Sequence, residues 1–276
     1  MTLFYQWFYP TMALIFGLFI GSFINVLIYR LPLMLFAQCS TEPDAVNISL
    51  WWPPSHCPAC GARVLKRDNI PVLSWLCLKG KCRHCESAIS AQYLISEILC
   101  AIVFTGLAII ALPQFTEVQI CSFFLYFCLL YSLSVIDFQH LILPDSLVSL
   151  LLWSGLLCSV SGITDIEPRS AICGAVAAWL LLYVVMAAYE KLRGREGLGY
   201  GDVKLLAAIT AWLGMEKIPE LIIGSAASGM MVYLLCTLLN QRRSLEEDNP
   251  TSEKHYIPFG PSICMAGLVI FFIEQL

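Results

Sequence analysis

Residues 119–137 read QICSFFLYFCLLYSLSVID: from Gln119 to Ile136 there is no Asp, Glu, Lys or Arg, and the run then stops on an acid, Asp137. A helix needs roughly 20 predominantly apolar residues to cross about 30 Å of hydrocarbon, so this stretch reads as a membrane span carrying a carboxylate at its end. The pattern recurs outward in both directions. Uncharged apolar runs occupy 10–29, 98–116, 146–163, 171–189, 221–240 and 256–273, and a shorter apolar stretch that carries Asp202 and Lys204 lies at 202–214. The whole chain of 276 residues is 58% hydrophobic and 13% charged, far from the balance of a soluble domain. The expected fold class is an all-α polytopic membrane protein with about eight transmembrane helices.

The run at 10–29 is read as a permanent span. No Lys or Arg precedes it, Arg30 follows it, and no small-residue cleavage site is evident. Orientation follows from the basic residues, which collect in short cytoplasmic loops. With eight crossings and the N-terminus outside, every Lys and Arg except Arg169 and Lys217 falls on one side. Region 31–90, the turn from Asp137 to Asp145 and the loop 190–204 are therefore expected at the cytoplasmic face. The division expected is a first helix in 1–33, a small cytoplasmic domain in 34–90 and a transmembrane domain in 91–276. The polar loop 241–256 reads as a solvated linker.

The net charge of −4 says nothing of partners. The glycines from Gly194 to Gly201 match neither a dinucleotide fingerprint nor a Walker loop and follow no strand, so neither a nucleotide nor a nucleic-acid partner is expected. The lipid bilayer is the expected surroundings.

Within 34–90, Cys57-Pro58-Ala59-Cys60 and Cys82-Arg83-His84-Cys85 form two C-x-x-C knuckles separated by 21 residues. That is close to the spacing of four-Cys zinc sites. Four thiolates would complete a tetrahedron and leave no position for a catalytic water, so Cys57, Cys60, Cys82 and Cys85 are candidate ligands of a structural Zn²⁺. A domain this small needs such a staple. Two disulfides are the competing reading, which a cytoplasmic location opposes. His56, His84, Cys39 and Cys77 stay unassigned, as does Trp51-Trp52-Pro53-Pro54. Of the 13 cysteines, those at 100, 121, 128, 158, 173, 236 and 264 lie in apolar runs, where a thiol packs as a small apolar side chain.

A second acid begins an apolar run: Gly199-Tyr200-Gly201-Asp202. A carboxylate at a membrane boundary is costly unless it has a use. By the topology above, Asp137 and Asp202 both sit at cytoplasmic helix ends. Two close carboxylates share a proton, letting one act as general base on water while the other polarises a scissile carbonyl. A lone Asp would more simply mark a helix end. Here the run after Asp202 reaches only to Gly214, too short to cross unaided, which suggests a recess that Gly199 and Gly201 would help to form. Asp145, after Pro144, resembles an N-cap. Glu97, Glu190 and Glu196 read as solvated or structurally paired, and Lys204 as snorkelling to the interface or tuning the pair.

These residues resemble the bacterial type IV prepilin peptidase family. The segment from Gly21 through Asn25 and Arg30 to Pro32 is similar to its first-span signature, and Asp68-Asn69-Ile70-Pro71-Val72-Leu73-Ser74-Trp75, between the knuckles, to another hallmark. Ile136-Asp137 through Leu143-Pro144-Asp145 and Gly199-Tyr200-Gly201-Asp202-Val203-Lys204 resemble the two catalytic motifs. The second is the GxGD pattern shared with presenilin-like proteases. Ile257-Pro258-Phe259-Gly260-Pro261 resembles the closing motif. The resemblance implies an aspartic endopeptidase of the bacterial inner membrane with Asp137 and Asp202 as its catalytic pair, Asp145 remaining a minority candidate. It implies substrates that are type IV prepilins or the pseudopilins of type II secretion, cut between Gly and Phe after a short basic leader. It also implies N-methylation of the new N-terminus from S-adenosylmethionine, attributed to the cytoplasmic region. A cut site between a cationic leader and an apolar helix lies at the inner interface, where anionic lipid draws basic segments.

Two other readings stay open: a peptidase without methyl transfer, and a transporter in which the same acids bind a cation or relay protons. Uptake without leader cleavage would mark the transporter.

Overall fold

A computed structural model describes residues 2–39, 49–111, 114–194, 199–243 and 258–275. Parts of three expected loops, 40–48, 195–198 with Glu196, and 244–257 with Lys254 and Ile257, lie outside the described residues. Those described are helical with short turns and contain no strand, only two isolated bridges. The main helices are α1 (Thr2–Cys39), α2 (Leu73–Cys77), α3 (Ala91–Ala111), α4 (Glu117–His140), α5 (Asp145–Val160), α6 (Pro168–Arg193), α7 (Tyr200–Leu213), α8 (Ile218–Arg243) and α9 (Gly260–Gln275). Four of them contain stretches long and apolar enough to cross a membrane: Trp7–Gln38, Ala91–Ala111, Glu117–His140 and Pro168–Arg193. Helices α5 and α9 are apolar but shorter. The chain is an all-helical membrane protein.

It divides into two compact units, Met1–Phe124 and Leu125–Leu276. In the first, α1 packs along α3. Gly17 and Gly21, one turn apart on α1, make this possible. A Cβ on Gly17 would lie 2.8 Å from the Cα of Ala101, and one on Gly21 would lie 2.7 Å from the Cα of Glu97. Small residues four apart let two backbones touch, which is how apolar helices gain packing where lipid supplies no hydrophobic drive. The segment between them is thus an insert whose two ends are held by a helix pair. Arg30, buried at the end of that contact, donates to the carbonyls of Ser49 (3.0 Å), Leu50 (3.2 Å) and Pro53 (2.6 Å). Glu97, also buried, accepts from the amide of Val72 at 2.7 Å. The expectation that Glu97 is solvated or structurally paired resolves to pairing: its partner is a backbone amide that burial would otherwise orphan.

In the second unit α7 is the central element. From Val203 to Leu213 every residue except Lys204 is buried, and α7 packs on α5, α6 and α9. A helix that is apolar all round belongs in a core. At about 1.5 Å per residue, α7 also falls well short of a 30 Å crossing, in keeping with the short run expected at 202–214. Trp212 closes its far end, donating from Nε1 to the carbonyl of Leu151 at 2.8 Å, with the Tyr126 ring tilted against it and the Phe271 ring edge-on.

Candidate active site and four-cysteine cluster

Asp137 lies in the last turn of α4 and is 6% exposed. Its Oδ2 accepts the amide N–H of Gly260 at 3.0 Å. Gly260 is the first residue of α9, so the carboxylate sits on one of the orphan donors that every helix N-terminus presents. A Cβ on Gly260 would lie 2.5 Å from that oxygen; only glycine lets the acid approach.

Asp202 is the third residue of α7, whose N-cap is Gly199. Its carboxylate reaches back to the Gly199 backbone while its own amide donates to the Gly199 carbonyl at 3.1 Å. This is half of a capping box: the acid at the third helical position reaches back to the N-cap backbone, and glycine has no side chain to return the bond. Gly201 faces Leu143 of the turn before α5, and a Cβ there would meet the Leu143 Cβ at 3.2 Å. The glycines of the GxGD run therefore have separate uses, one as N-cap and one admitting the turn after α4. The two carboxylates act on each other electrostatically, and both act on the buried Cys264 one turn along α9 from Gly260. The fold thus brings together Asp137, Asp202, Gly260 and Cys264 from α4, α7 and α9. Composition offered no sign of the Gly260 contact; the only sequence signal was its position in the closing motif.

Asp145 is elsewhere. It is the first residue of α5, with Pro144 in the N-cap position, and its exposed carboxylate accepts from Lys204 Nζ at 2.7 Å. The expected N-cap is thus displaced by one residue. Lys204 also lies over the Tyr200 ring, 4.8 Å from its centroid, so its charge is engaged on the surface.

In the first unit the four thiols of Cys57, Cys60, Cys82 and Cys85 all lie within 4.8 Å of one another. Tetrahedral zinc with Zn–S bonds of about 2.3 Å requires sulfurs about 3.8 Å apart, and Sγ of Cys57 and Cys85 are separated by 3.8 Å. The residues fit the ion. The two knuckles are also built alike. The first cysteine of each donates its N–H five residues on (Cys57 to Ala62, Cys82 to Ser87) and accepts from four on (Gly61, Glu86), where the backbone is left-handed. Each is closed by a bridge, His56 with Arg63 and Lys81 with Ala88. Amides of Cys60 and Ala59 and the Ser87 hydroxyl draw the Cys57 thiol down to about 6, with the Cys60 amide the largest influence. Such donors favour the thiolate a metal binds. Asp68 clamps Arg83 of the second knuckle, with Nε to Oδ2 at 2.8 Å, and that hydrogen bond holds the Asp68 carboxyl below its usual range. Cys77 is exposed and apart from the cluster, and His56 Nδ1 contacts the Pro54 carbonyl at 3.1 Å.

The chain matches two family models, one described as the bacterial peptidase A24 N-terminal domain over residues 15–111 and one described as the type IV leader peptidase family over residues 123–235. Among curated relatives, the protein of Pectobacterium carotovorum subsp. carotovorum is 37% identical over 275 residues, covering 96% of this chain and 93% of its own. That of Burkholderia pseudomallei (strain K96243) is 36% identical over 272 residues, covering 94% and 84%. That of Dickeya chrysanthemi is 38% identical over 264 residues, covering 92% and 89%. Each of the three is named a prepilin leader peptidase/N-methyltransferase. No solved structure matches the chain. With this identity over nearly its whole length, and with both family models falling on successive parts of it, the chain belongs to the type IV leader peptidase family.

Proposed function

We propose that the chain removes the leader of type IV prepilins or type II secretion pseudopilins at the cytoplasmic face of the bacterial inner membrane, and N-methylates the new N-terminus. Asp137 and Asp202 are the catalytic pair. One carboxylate takes a proton from the attacking water and the other donates one to the carbonyl oxygen of the scissile bond. The tetrahedral intermediate then collapses as the leaving amine is protonated. What carries this reading is a buried acid, Asp137, and a half-buried one, Asp202, at helix termini, each held by a backbone donor and in electrostatic reach of the other, in a chain of this family.

The finer architecture proposed is eight crossings with the N-terminus outside, a four-Cys zinc domain in 34–90 between the first helix (1–33) and the peptidase domain (91–276), and Zn²⁺ on Cys57, Cys60, Cys82 and Cys85. The ion would hold the two knuckles together and take no part in cleavage. S-adenosylmethionine is the methyl donor suggested by the relatives' names. Of the polar groups described in 49–90, the four thiols, the Asp68–Arg83 pair and the carbonyls on Arg30 are engaged in structural contacts and do not mark a donor site.

The test is leader cleavage and methyl transfer by purified protein in lipid, with a prepilin-like peptide and labelled donor. Cleavage that survives Asp137→Asn or Asp202→Asn overturns the dyad. Cleavage without labelled product limits the enzyme to a peptidase.

A further inference from the structure

One face of α6 and one face of α8 carry the spacing of a helix-packing seam, and no described residue packs between them. On α6 the residues are Leu182, Val185, Met186 and Tyr189, at i, i+3, i+4 and i+7. On α8 they are Ile222, Ser225 and Ala226, at i, i+3 and i+4. Together they wall a groove of about 370 Å³. Its only polar side chain besides the Tyr189 ring hydroxyl is Ser225, whose Oγ donates to the Leu221 carbonyl at 2.6 Å. The lining therefore asks for an apolar occupant.

The floor joins the groove to the acids. Leu206 lies one turn along α7 from Asp202, and Phe259 immediately precedes Gly260, whose amide holds Asp137. Among the described residues α6 is little covered: 17% of its apolar window is buried, the least of the four span-length helices. On α8 the groove side of the small-residue run 224–229 is Ser225 and Ala226, while Gly224, Ser228 and Gly229 face α9 and Phe259; small residues permit close helix approach in lipid.

We propose that this groove seats the apolar helix of the leader-bearing substrate, which enters sideways from the bilayer and lies on α7 so that its end meets Asp137 and Asp202. This rests on the peptidase reading above and adds where the substrate is held. Two seams at helical spacing suit a third helix laid between them, as in helix-in-groove recognition. A disordered acyl chain has no use for that spacing. The Met186 thioether lets one wall adapt to different side chains.

The test uses full-length protein in vesicles of phosphatidylethanolamine and phosphatidylglycerol. The substrate is a synthetic peptide with a basic leader, a Gly-Phe cut site and an apolar helix. A photoreactive benzoyl-phenylalanine replaces Val185 or Ala226, or Leu157 as an exposed site on α5 outside the groove, each in the Asp202→Asn background so that substrate stays uncut. The expected result is crosslinking to the peptide helix from positions 185 and 226 but not 157, abolished by excess unlabelled peptide and untouched by a peptide ending at the cut site. Crosslinks only to lipid, to a second copy or within the chain, or equally from 157, overturn the proposal. In the active protein Ala226→Trp should raise KM about tenfold with kcat retained; an unchanged KM also overturns it. Should Asp202→Asn still cut, the dyad has failed, and the crosslinking pattern reports on the groove separately.

Discussion

The amide of Gly260 donates to the carboxylate of Asp137 across 3.0 Å, joining residues 123 apart in sequence and fixing an acid at the end of α4 to the start of α9. The contact leaves no space for a side chain, since a Cβ on Gly260 would sit 2.5 Å from the oxygen. Gly260→Ala should displace the acid and lower kcat about 10²-fold, the scale on which small misplacements of catalytic groups act. Gly106→Ala, on a helix face with open space beside it, should leave cleavage unchanged. Single-turnover cleavage of a prepilin-like peptide measures both.

Asp137→Asn and Asp202→Asn should each lower kcat by about 10²–10⁴-fold, the usual contribution of general acid–base catalysis. Asp145→Asn and Lys204→Met should leave cleavage within about twofold, because an exposed ion pair contributes little. If Asp145→Asn proves as damaging as the other two, the pair has been assigned to the wrong residues.

Purified protein should carry about one zinc per chain, by elemental analysis, and Cys57→Ser or Cys82→Ser should each lose it. Removing the metal with a chelator should open 49–90 to proteolysis while leaving α1 and α3 resistant, because binding energy in such a site is folding energy. Asp68→Asn should speed chelator-driven release by freeing Arg83 in the second knuckle. Equal release rates would show that the clamp does not hold the knuckle.

Gly17→Leu or Gly21→Leu should loosen the α1–α3 pair. The added side chains have backbone, not flexible tips, in their way, and overpacking of this kind costs about 1–3 kcal/mol. Thermal unfolding in detergent, followed by accessibility of the buried Cys100, reports the loss.

The apolar run ending at Asp137 and the one beginning at Asp202 were legible because composition and spacing determine them locally. So was the four-Cys cluster, whose ligand spacing is itself the signal. The short length of 202–214 correctly marked α7 as unusual. Gly17-Leu18-Phe19-Ile20-Gly21 carried a visible small-xxx-small spacing, yet nothing local says which helix it will meet. The likeness of the two knuckles was hidden because their side chains differ and only their backbone bonds repeat. The partners of Asp137 and Asp145 were not legible either. Gly260 and Lys204 reach them through the packing of α4, α5, α7 and α9, which no local pattern encodes.

Helix α7 is short and enclosed by its neighbours, and this bears on where the chain cuts. A span that touches lipid tilts or shifts to match the thickness of the bilayer around it. With its buried residues walled by protein, α7 is spared that adjustment, and the depth of Asp202 is set by the helices that clasp it. The enzyme thus carries its own ruler: the position of the cut along a substrate should stay the same in thin and thick membranes, even where the rate does not.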